Sequence, residues 1–73
     1  MTIKTNEEFQ NYLCSIVNDI YNGAGRVHIE EMLIPMPKLG YSRVQTLWAM
    51  MLANIAWENH TGRKAYFHDI IHL

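Results

Sequence analysis

One cysteine, Cys14, is all this chain holds, so no disulfide can staple it to itself. Two prolines and four glycines are too few for a flexible linker or a biased tract. Charge is also sparse: 18% of the residues are charged, and the formal net charge is −1. With 49% hydrophobic residues beside it, that balance excludes a disordered chain. No apolar run is long enough to span a bilayer, and no membrane association is expected. The opening Met1–Glu8 has no basic stretch followed by an apolar one, so no secretory leader is expected. A reducing cytosol is the default compartment. Gly23-Ala24-Gly25 follows a helical segment instead of opening one, the wrong context for a phosphate loop. Spacing supports no Ser-His-Asp or Cys-His-Asn set. The expectation is therefore a non-enzymatic protein with no cofactor.

What remains is a single domain of 73 residues with little room for a core. A domain this small buries only about 60% of the surface its unfolded chain exposes. Such domains lean on a disulfide, a metal or association with another chain. Without a disulfide, the choice lies among a metal, a second copy and a larger partner.

The fold class expected is mainly α. Residues 5–22 open on Thr5 with Glu8 three positions on, a capping box. Phe9, Tyr12, Leu13, Ile16, Val17, Ile20 and Tyr21 then recur at helical spacing. Gly23 and Gly25 stop the helix. Residues 26–40 are harder to read. A short helix near 29–33 is expected, followed by an extended Pro35-Met36-Pro37 connection, because residues before proline are pushed out of the helical region. Residues 42–59 form a second long helix, with Ser42 and Gln45 as its capping box and Gly62 beyond its end. Residues 63–73 place Tyr66, Phe67, Ile70 and Ile71 at helical spacing, which predicts a short C-terminal helix. The alternative is a small two-stranded sheet pairing 26–29 with 64–67.

The helix over 42–59 is apolar nearly all round. Val44, Leu47, Trp48, Met51, Leu52 and Ile55 read as its core stripe. The opposite side, which should be polar, holds Thr46, Met50, Ala53 and Trp57. Such a helix is either central in its fold or shared with another chain. The expectation is that Thr46, Met50, Ala53 and Trp57 form an association surface, extended by Met36 and Tyr41 of the neighbouring connection. Trp and Met are enriched at interfaces, and Met adapts to irregular partners. The expected partner is a second copy, a larger protein, or both. The size matches small regulators and inhibitors, including those encoded by phages and mobile elements.

Two other readings compete. His68 and His72 stand at the i, i+4 spacing of a zinc-binding helix, with a third ligand to come from His28, Glu30, Glu31, His60 or Cys14. His68 and His72 with Lys64 also read as a solvated stripe. Leu39–Trp48 resembles the turn and second helix of a helix-turn-helix motif, and Arg43, Gln45 and Thr46 are side chains that read DNA bases. Two prolines break the preceding element, however. The charge is only mildly graded: residues 1–36 carry two basic and five acidic groups, residues 37–73 four and two. That is no basic patch, so nucleic acid is not the expected partner.

Overall fold

The structure, a computed structural model, describes residues 4–69. Its elements are helices α1 (Asn6–Tyr21), α2 (Arg26–Leu33) and α3 (Arg43–Thr61), followed by a single 3-10 turn, Phe67–Asp69. No strand occurs among the described residues, so the sheet alternative is not supported and the domain is mainly α.

Both capping boxes form. The Glu8 N–H donates to Thr5 Oγ1 and the Thr5 N–H to Glu8 Oε1, each at 3.2 Å. At α3 the Gln45 N–H donates to Ser42 Oγ at 3.0 Å and the Ser42 N–H to Gln45 Oε1 at 2.8 Å. The two caps are also tied together. Gln45 Nε2 donates to the Lys4 carbonyl and the Lys4 N–H to the Gly40 carbonyl, both at 3.1 Å. The long helices therefore start side by side. At their far ends the Tyr21 and His60 rings meet at 5.5 Å, so α1 and α3 run in the same direction. The short α2 and the turns after it carry the chain back.

The core lies between α1, α2 and α3. Ile16 and Ile20 of α1, Ile29 and Leu33 of α2, and Ala49, Met50 and Ala53 of α3 are fully buried in it. Phe9, Tyr12, Leu13 and Val17 pack against its edge, whereas Tyr21 is half exposed. Each fully buried aliphatic side chain contributes about 1.5–3 kcal/mol of transfer free energy.

Three local expectations need correction. First, α2 starts at Arg26, three residues earlier than expected. Second, the proline segment is turned, not extended. Ile34 keeps a right-handed helical backbone despite Pro35, because its N–H reaches the Glu30 carbonyl at 2.9 Å. The chain then folds through consecutive turns, with Leu39 N–H on the Pro35 carbonyl at 3.0 Å and Tyr41 N–H on the Met36 carbonyl at 3.1 Å. This curl drives Met36 fully inside. Third, no regular helix covers 63–69. Tyr66 sits at φ 54, in the left-handed region that a continuing α-helix cannot use. Ile70 and Ile71 lie outside the described residues.

Candidate association surface

Helix α3 has two apolar faces, and the structure assigns them oppositely to the sequence expectation. Thr46, Met50 and Ala53 are fully buried within the chain. Trp57 is partly buried and packs edge-on against Phe67, with ring centroids 5.7 Å apart. Met36 is inside, and Tyr41 is buried against Tyr12 at 5.0 Å and Phe9 at 6.2 Å. The expected association residues thus belong to the protomer's own core.

The reason is size. Thr46, Ala49, Ala53 and Ala56 are small and buried, which lets a neighbouring helix approach closely, and α1 is the element that packs most extensively on α3. Thr46 is no penalty there, since its hydroxyl donates to the Ser42 carbonyl at 2.9 Å.

The stripe read as core faces outward instead, except for Leu52, which is half-buried. Val44, Leu47, Trp48, Met51 and Ile55 are between 40% and 72% exposed. Single exposed hydrophobics are ordinary, but five large ones on three turns of one helix make a contiguous patch. Tyr66 extends it. A shallow cavity of about 190 Å³ joins Met51, Asn54, Ile55 and Glu58 of α3 to Lys64, Tyr66 and His68. That volume is below the roughly 300 Å³ at which small-molecule pockets begin.

Asn54 builds this edge of the patch, and the sequence reading gave it no role. It is buried, its Oδ1 accepts the Phe67 N–H at 2.8 Å, and its Nδ2 donates to His68 Nδ1 at 2.9 Å. The other ring nitrogen, His68 Nε2, faces Asp69 Oδ1 at 3.4 Å. Arg26 stacks its guanidinium over Phe67 at 4.8 Å. Buried Phe67 and the Asn54 bond together hold Tyr66 in its left-handed backbone, a conformation that costs of order 1–3 kcal/mol. A polar residue flanked by Met51 and Ile55 on an apolar helix was the available signal.

The competing constellations fare as follows. Among the described residues no three His, Cys, Asp or Glu side chains come together as a metal site. His28 pairs instead with Asp19 at 2.8 Å, and His72 lies outside the described residues. Of the three base-reading candidates, Thr46 is buried and Gln45 spends its amide on Ser42 and Lys4, leaving only Arg43 exposed. Cys14 is an exposed free thiol on α1. No helix among the described residues is long and apolar enough to cross a membrane.

Among the described residues, three groups titrate away from their ordinary values. The Thr5 backbone N–H and hydroxyl, with Lys4 beside them, hold the Glu8 carboxyl below its usual range. Burial pushes the Tyr12 and Tyr41 phenols up. Tyr12 donates its hydroxyl to the Met32 carbonyl, tying α1 to α2.

Comparison with known protein families, with curated proteins and with solved structures finds no match for this chain.

Proposed function

We propose that this protein is a non-enzymatic association module, a small regulator that works by burying one helix face against a protein partner. The binding face is Val44, Leu47, Trp48, Met51 and Ile55 of α3, not the opposite stripe first expected. One observation carries the reading: five large apolar side chains stand exposed in a row on the longest helix of a very small domain. Solvating them is costly at roughly 25 cal/mol per Å² of apolar surface, and a partner removes that cost. Trp48 lies inside the row, and a desolvated tryptophan of this kind typically dominates binding energy. Occlusion is the mechanism that follows, since the covered surface of the partner is blocked or held.

The test uses Trp48→Asp and Ile55→Asp beside the wild type, with helical content checked by circular dichroism. Sedimentation mass and capture of partners are measured for each. Loss of association in both folded variants is expected. Unchanged mass together with unchanged capture in both variants overturns the reading. DNA binding and zinc binding have weaker support, because Thr46 is buried, Gln45 is engaged by Ser42 and Lys4, His28 pairs with Asp19 and His68 with Asn54.

A further inference from the structure

We infer that the partner covering the large face of α3 is a second copy of this chain, with the two α3 helices packed antiparallel about a two-fold axis level with the Ala49–Met50 peptide. This rests on the association reading and names its partner.

The first argument is the symmetry of the patch. A two-fold interface uses one surface twice, so that surface must complement itself. Val44 and Ile55 stand equally far on either side of the Ala49–Met50 midpoint, as do Trp48 and Met51. In an antiparallel pair Val44 is level with Ile55 of the second copy, and Trp48 with its Met51. Thioether against indole is a favourable contact, and it falls at the centre of the interface.

The second argument is charge. Arg43 and Glu58 are the only Asp, Glu, Lys or Arg residues of α3, and they bracket the stripe at its two ends. Both are exposed, and among the described residues neither takes part in an ion pair. At about 100° per residue they lie only about 60° apart around the helix, on the same edge of the patch. An antiparallel two-fold brings like edges together, so Glu58 meets Arg43 of the second copy and the positive first turn of its α3. A parallel two-fold puts like edges on opposite sides of the pair, so there neither Arg43 nor Glu58 finds the opposite charge of the second copy.

The experiment measures sedimentation mass and disulfide capture in a Cys14→Ser background. A wild-type dimer and a folded Trp48→Asp monomer are expected. Arg43→Glu weakens dimerisation by about tenfold, and Arg43→Glu with Glu58→Arg recovers it. Val44→Cys with Ile55→Cys yields an intermolecular disulfide. Val44→Cys alone does not, because the two copies of position 44 are about 16 Å apart along the pair at 1.5 Å per residue. Capture through the single cysteine, or no recovery in the charge swap, overturns the antiparallel pairing. A monomeric wild type that captures another protein only while Trp48 is present overturns the second copy but leaves the association reading standing. A monomeric wild type whose capture ignores Trp48 overturns both.

Discussion

The two faces of α3 differ in the size of their side chains more than in their polarity. The inward face is Thr46, Ala49, Met50, Ala53, Asn54 and Ala56, and the outward face is Val44, Leu47, Trp48, Met51 and Ile55. A ranking by hydrophobicity alone chooses the second set as core. The protomer chooses the first, because close approach of α1 needs small residues, and close approach recovers dispersion contacts that a splayed pair loses. Two residues that look like lapses in the inward face are both satisfied by hydrogen bonds: Thr46 to the backbone of its own helix, Asn54 to the chain after it. Small apolar residues set where helices of one chain meet. Large apolar residues left outside are where we propose that a partner docks.

Adjacent methionines put the sharpest edge on this comparison. Met50 is fully buried and Met51 is about half exposed. Met50→Ala should cost about 2–5 kcal/mol in chemical denaturation, the usual range for a truncated core side chain. Met51→Ala, measured at dilutions where the chain is monomeric, should stay within about 0.5 kcal/mol of the wild type. Equal losses at the two positions would mean that α3 does not have one inner and one outer face. The next largest effect belongs to Asn54, at the seam. Asn54→Ala leaves the Phe67 N–H buried without an acceptor, which costs about 1–3 kcal/mol. It should also free the 64–69 segment, read as faster amide exchange at Phe67. A stability loss with Phe67 exchange unchanged would assign Asn54 to general packing.

Much of this was legible beforehand, and the failures have identifiable causes. Both capping boxes and the α1 core face were readable because each rests on local chemistry between residues three or four apart. That α3 is apolar on both sides was readable too. Which side turns inward was not, since helical periodicity is blind to a rotation by half a turn when both arcs are apolar. Glu58 held a clue: it continues the line of Met51 and Ile55 and marks that line as outward. The Pro35–Tyr41 turns and the left-handed Tyr66 depend on tertiary partners, the core around Met36 and the Asn54 amide. No window of sequence contains those partners. The link between the two caps through Gln45 and Lys4 is likewise a contact across 41 residues.

The smallest expected effect separates the two helices without touching either face of α3. Their capping boxes share one geometry but not one chemistry, since α1 closes its box with the carboxylate of Glu8 and α3 with the neutral amide of Gln45. The ionised Glu8 accepts the Thr5 N–H and hydroxyl and pairs with Lys4 at 3.3 Å, and these contacts lower its pKa on folding. A carboxyl with a lowered folded pKa adds stability that is present above its unfolded pKa and disappears as pH falls through the folded value. Wild type and Glu8→Gln should therefore differ at neutral pH and converge in acid below the glutamate range. Denaturation midpoints of the two proteins across that window make the measurement. A wild-type advantage that persists unchanged into acid would show that ionisation of Glu8 plays no part in starting α1.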